Sequence, residues 1–257
     1  VPSGKIGLAF LIPGALSLYY SIIQDSQILA FIGLGLTFWG ALFFFIKPIR
    51  YVRSELLGQA ELPTYSTIDR IIKEFKFKGK SYYIPPYPRD VYLPEHLKGL
   101  KEMIVFISSN ANPNMPSIED MAKSRFLLRN PDGICISPPG LGLLTQMEKE
   151  LGKDLSEVDL ETLIESLPQI ITTNLQVAEE VEIKKERDMI YTKISGSIYA
   201  ELYTRQNLIS IRILGCPLIS AIACALAKST GEIVSIDRGK ISEDGLIIEA
   251  WYSFAEE

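Results

Sequence analysis

Histidine and cysteine are nearly missing from this chain. Its 257 residues include one histidine, His96, and three cysteines, Cys135, Cys216 and Cys224. One histidine excludes a histidine-based metal cluster within a single chain. No cysteine pair has CxxC spacing, so neither a zinc site nor a disulfide framework is indicated. The sequence therefore leads us to expect no metal and no cofactor. Formal charge is absent from two long stretches, Ile6–Gln24 and Ile28–Ile46. A proton path or ion route at membrane depth needs ionisable groups, and these stretches offer none. A basic nucleic-acid stripe is also lacking, in a chain of net charge −5, so no nucleic-acid partner is expected.

What is there begins with those two apolar runs. Each is close to the roughly 20 residues needed to cross about 30 Å of hydrocarbon. Only Asp25, Ser26 and Gln27 separate them, and the pair reads as a transmembrane hairpin with spans at about 6–24 and 28–46. The first run lacks a convincing signal-cleavage site and a second span follows at once, which favours a span over a leader. Lys5 precedes the first run, and Lys47, Arg50 and Arg53 follow the second. Basic flanks stay on the cytoplasmic side, so the expectation is a cell-membrane protein with both termini cytoplasmic and the short loop outside. Small residues form stripes: Gly7, Gly14, Ser17 and Ser21 in the first run, Gly33, Thr37, Gly40 and Ala41 in the second. Such faces let helix backbones approach closely in lipid. They serve either packing within the hairpin or docking onto other membrane subunits. Lys47, Arg50 and Arg53 can likewise meet anionic headgroups or act only as topology signals.

The remainder has an ordinary globular composition and reads as a cytoplasmic α+β domain with a mostly antiparallel sheet. It divides into 54–139 and 140–257, with Pro138–Gly140 as the boundary; 1–53 is the hairpin. Ser66 to Asp69 has capping-box-like spacing, and Ile68, Ile71, Ile72 and Phe75 recur at helical spacing. This predicts a short helix from Thr67 to about Phe75, after a connector. Lys76–Ile84 is expected to form a hairpin about Gly79. Pro85, Pro86, Pro88 and Pro94, interleaved with tyrosines, predict an extended arm that either docks a partner or covers the core. Met103–Ser108 and Ile134–Ile136 read as strands around the Asn130-Pro131-Asp132-Gly133 turn. Leu141–Leu151 and the stretch from Asp159 to Pro168 read as helices, and Val181–Ile194 as a β-hairpin. Gly140 and Gly142 lack the Lys-Ser/Thr of a phosphate loop and the spacing of a dinucleotide site, so they are read as a structural turn. Pro217 suits a first helical position. Leu218–Ser229 is a small-residue helix closed by Gly231, followed by strands at Ile233–Asp237 and Leu246–Phe254.

The run from Gly215 to Phe254, with Gly215, an Ala/Cys-rich helix, Gly231 and Gly245, resembles the C-terminal part of small-molecule-binding domains of the vinyl-reductase type. That resemblance implies a ligand site near Gly215, Cys216, Leu218, Ala221 and Ile222. Family members often carry cysteines in the closing hairpin, and this chain has none after Cys224, so no metal role is carried over. The whole layout also resembles two-span archaeal membrane proteins, a likeness that implies no activity.

Three functional readings follow. The leading one is a non-catalytic, membrane-anchored accessory subunit, whose partners are the lipid bilayer and other membrane proteins. The second is a membrane-tethered sensor that binds an apolar small molecule or lipid. The third is a thiol-dependent enzyme using Cys216, where a helix N-terminus would lower the thiol pKa; no partnering base is evident, and a buried structural cysteine is the competing reading.

Overall fold

The structure, a computed structural model, describes residues 3–45, 54–77, 79–87, 92–110, 113–205, 208–242 and 244–255. In chain order the elements are α1 (Ser3–Gln24), α2 (Gln27–Phe45), α3 (Ser54–Phe75), β1 (Ser81–Ile84), β2 (Ile104–Ser108), α4 (Ile118–Ala122), β3 (Leu127–Arg129), β4 (Asp132–Ile136), α5 (Leu141–Leu151), α6 (Leu160–Gln169), β5 (Glu180–Glu186), β6 (Met189–Ser195), α7 (Glu201–Arg205), α8 (Ile209–Leu214), α9 (Pro217–Thr230), β7 (Ile233–Ile241) and β8 (Ile247–Ala255). The chain forms two units, Val1–Val52 and Arg53–Glu257.

In the first unit, α1 and α2 are apolar helices that could span a membrane. Their small residues point at each other. Gly7, Gly14 and Ser21 on α1 and Gly33 and Gly40 on α2 are buried, at seven-residue spacing. Ideal Cβ atoms built at Gly33 and Gly40 would stand 2.8 Å from the backbone nitrogens of Leu18 and Leu11. Only glycine lets the axes come this near, and the seven-residue repeat keeps one seam facing the partner helix. Gly14 receives Thr37, whose hydroxyl donates to the Gly33 carbonyl at 2.5 Å. Ser17 and Ala41 are half-buried. The bulky residues face outward: Ile22 is 81% and Phe31 75% exposed. Lys47, Arg50 and Arg53 lie outside the described residues.

The second unit is α+β. Its eight-stranded sheet is antiparallel throughout, in the order β3-β4-β2-β1-β7-β8-β6-β5. Strands from 54–139 and from 140–257 meet at the β1–β7 pair, so one sheet crosses the boundary expected at Pro138–Gly140. The helix at the centre is α9, in which every residue from Pro217 to Lys228 is buried. Its alanines let neighbours approach closely: an added Cβ at Gly140 would lie 2.1 Å from the Ala221 nitrogen, and the Gly140 N–H donates to the Ser220 hydroxyl. Gly140 is thus a packing turn ahead of α5.

Two expectations are corrected. The segment before β1 makes no hairpin, because β1 pairs instead with β2 and β7. The helix expected from Thr67 starts at Ser54 and carries Pro63 inside it. Burial of Tyr65, Ile68 and Ile72 along one face outweighs the roughly 3 kcal/mol that an interior proline costs. The arm is divided: Tyr82 and Tyr83 are core residues of β1, the Tyr87 N–H donates to the Leu100 carbonyl at 2.7 Å, and Tyr92 is 89% exposed. Pro88 and Val91, also in the arm, lie outside the described residues.

Candidate functional site: a cleft walled by α8

Six residues make α8, too few to be stable alone. Both ends are held by α3. At its start, Asp69 accepts the Ser210 N–H at 3.0 Å, which satisfies one of the free donors of a helix N-terminus. At its end, three carbonyls take hydroxyl donors: Ser81 to Ile213, Tyr83 to Leu214 and Tyr65 to Gly215, at 2.6, 2.7 and 2.8 Å. The Ser210 hydroxyl returns a bond to the Tyr65 carbonyl at 2.9 Å. Burial would raise the Asp69 carboxyl, but the Lys73 ammonium and the N–H groups of Ser210 and Ile209 outweigh it and hold it below the usual range. Burial pushes the Tyr65 and Tyr83 hydroxyls well up, so they stay protonated donors.

The opposite face of α8 lines a cleft of about 340 Å³, within the ~300–1,000 Å³ of small-ligand sites. Leu208, Ile211, Arg212 and Gly215 line it, at the spacing of one helix face. The facing wall is β7 and β8, where Gly239 pairs with Ala250 and Ile241 with Ile248. A β-bulge sets this wall. Register shifts between Ile236 and Arg238, leaving Asp237 as the extra residue, tied to Lys80 at 2.5 Å. A bulge inverts the alternation beyond it. Hence Ile236, Gly239 and Ile241 all face the cleft, while Arg238 and Lys240 fall on the other face, each 5.7 Å from the Trp251 ring centre. Gly239 leaves the space open: among the described residues, the one atom within 4 Å of an added Cβ, its chain neighbours aside, is the Glu249 carbonyl oxygen, 4.0 Å away.

Of the residues expected to bind ligand, Gly215 lines this cleft and Ile219 joins it from α9. Cys216, Leu218, Ala221 and Ile222 are buried in the core. Gly215 has φ +70° and its Cβ would meet Ile219 at 2.4 Å, so glycine is required where α8 turns into α9. Cys216, the candidate nucleophile, is fully buried. The helix N-terminus does pull its thiol pKa down, through the N–H groups of Leu218 and Ile219, but complete burial outweighs that and pushes it up. Tyr203, whose hydroxyl accepts the Cys216 N–H at 2.9 Å, is itself held protonated by burial. His96 is exposed on the separate turn Glu95–Lys101.

A second feature escaped the sequence. Lys228, 8% exposed, is the one formal charge within α9. It pairs with Glu148 of α5 and with Asp154, the latter at 2.9 Å. Burial would raise Asp154, but Lys228 and the Ser156 N–H and hydroxyl bring it to about 2. Beside this cluster, a cleft of about 500 Å³ opens between Pro86 and Tyr87 of the arm, Leu100, Met121 and the C-terminal end of α9. Among the described residues, no group of three His, Cys, Asp or Glu is placed to hold a metal.

No curated protein and no solved structure matches the chain, and nothing found supports the resemblance to vinyl-reductase-type domains. A family model, described as a domain of unknown function (DUF7982), matches residues 5–251 and so takes in the hairpin together with the α+β unit. The chain belongs to that family.

Proposed function

We propose that this protein is a non-catalytic, membrane-anchored sensor, in which the cleft beside α8 holds an apolar small molecule and α3 reads its occupancy. One observation carries the reading. A single short helix, α8, forms a wall of the cleft with one face and is fixed by Asp69 and Tyr65 of α3 with the other. A ligand that shifts α8 must strain or relax those bonds, which is the differential interaction a switch requires. In sequence, α3 is the first element after the second apolar helix. The outward bulky side chains of α1 and α2 support a lipid setting, with basic flanks on the cytoplasmic side.

The accessory-subunit reading then draws on the charge-free spans and the Tyr/Pro arm rather than on the small-residue stripes, which α1 and α2 use on each other. Native mass spectrometry of the protein extracted from its own membranes in mild detergent separates the two. The sensor reading predicts a small-molecule increment that disappears in Gly239→Leu, a change that fills the cleft. A reproducible increment of protein size, with none of small-molecule size, favours the subunit and overturns the sensor.

A further inference from the structure

The cleft has a polarity that says more than that its ligand is apolar. Ile211, Ile219, Ile236 and Ile248 give it a hydrocarbon floor. One cationic side chain lies on the cleft face of α8: Arg212, one residue from Ile211 and four from Leu208 in the same stripe. Lys240 also borders the cleft, but its ammonium lies 5.7 Å from the Trp251 ring centre, on the far side of the sheet set by the bulge. Glu249 likewise points away, accepting the Tyr191 hydroxyl at 2.6 Å. Among the described residues Arg212 has no ion-pair partner. An exposed guanidinium at the rim of an apolar slot, with no carboxylate assigned to it, matches a single monoanionic headgroup on a hydrocarbon tail.

Resting on the sensor reading above, we infer that the cleft takes a single-chain amphiphile with one carboxylate, a medium-chain fatty acid in class, its head on Arg212 and its tail along Gly239 and Ile248. One guanidinium offers a planar fork with two parallel donors for two carboxylate oxygens. A dianionic phosphate head would leave charge uncompensated here, and a two-chain lipid exceeds a slot of about 340 Å³.

The test uses the full chain in phosphatidylcholine nanodiscs with decanoate labelled with ¹³C at its carboxyl, and decanol and decyltrimethylammonium as chain-matched probes. Empty nanodiscs subtract partitioning into lipid. Decanoate should bind at least about tenfold more tightly than either probe, a difference ordinary for one charge-assisted contact. Arg212→Gln should remove that preference and leave decanol unchanged. Gly239→Leu should abolish binding of all three. Equal binding of decanoate and decanol, unaltered in Arg212→Gln yet lost in Gly239→Leu, overturns the headgroup inference and leaves the cleft reading standing. Binding of none of the probes, or binding untouched by Gly239→Leu, overturns both.

Discussion

Among the described residues, two helical stretches of at least 18 residues are apolar enough to cross a membrane, besides the shorter α2, and they have opposite fates. Gly7–Gln24, in α1, is 17% buried within the molecule; Ile209–Thr230, which joins α8 to α9, is 83% buried and is the more apolar of the two. Hydropathy alone would therefore rank the buried stretch above the exposed one. What separates them is the placement of size and charge. In α1 and α2 the small residues face the partner helix and the large ones face out. In α9 both the small residues and Leu218, Ile219 and Ile222 are covered from every side, and the stretch is broken at Gly215, whose backbone no continuous helix adopts. The one charge in α9, Lys228, is neutralised by two half-buried carboxylates. An apolar helix with a paired charge near its end suits a protein core; one with a small-residue seam and bulky flanks suits a helix pair that could face lipid.

That contrast can be broken from either side. The largest effect is expected at Lys228. Replacing it with alanine leaves Glu148 and Asp154 without its ammonium, and losing one partner of a pair largely shielded from water costs up to about 3–5 kcal/mol, read as a lower denaturant midpoint of the α+β unit. Overpacking comes next: Ala221→Leu forces a larger side chain against Gly140, at about 1–3 kcal/mol or more, whereas a comparable change on the outer face of α1, Ala15→Leu, should leave the midpoint unmoved. In the hairpin the sensitive positions are the glycines. Gly40→Leu should separate α1 from α2, seen as lost cross-linking between cysteines introduced across the seam, with the α+β unit still folded. Tyr65→Phe leaves the Gly215 carbonyl without its donor and should cost about 1–3 kcal/mol, loosening α8 and raising amide exchange over Ile209–Leu214.

The smallest effect is a pH dependence. Asp154 has its carboxyl lowered to about 2, and Asp69 is lowered too. A depressed carboxyl stabilises the fold above its unfolded pKa and loses that contribution as the pH falls through its folded one. The denaturation midpoint should thus hold between neutrality and about pH 5, then fall from about pH 4 toward pH 2. In Lys228→Ala the Asp154 share of that fall should shrink to what the Ser156 N–H and hydroxyl still supply.

Much of the architecture could be read from the residues themselves. Pro217 and Gly231 bracket α9, Asp159 caps α6, and Gly152 ends α5 in the left-handed conformation; each is a local signal acting on its own neighbours. The illegible parts depend on distant partners. Ile209, Ile211 and Ile213 alternate as in a strand, yet form α8 because Asp69 and Tyr65, far away in the chain, complete its ends. The polar run Arg238-Gly239-Lys240 does not read as strand, but the bulge at Asp237 turns both cations outward and extends β7 to Ile241. The Lys228 cluster unites positions 148, 154 and 228, which no spacing rule connects. For the site, Gly215 was legible through its turn; Arg212 and Gly239 became visible only when α8 was seen to face β7.

The measurement that bears most directly on the contrast is lipid-phase photolabelling. A lipid-soluble carbene label, activated in native membranes and mapped by peptide mass spectrometry, should modify Ile22, Phe31 or Trp39 of the hairpin and leave Ile209–Thr230 unmarked. Label in Ile209–Thr230, or an unlabelled hairpin on a protein released by alkaline washing, would contradict the assignment.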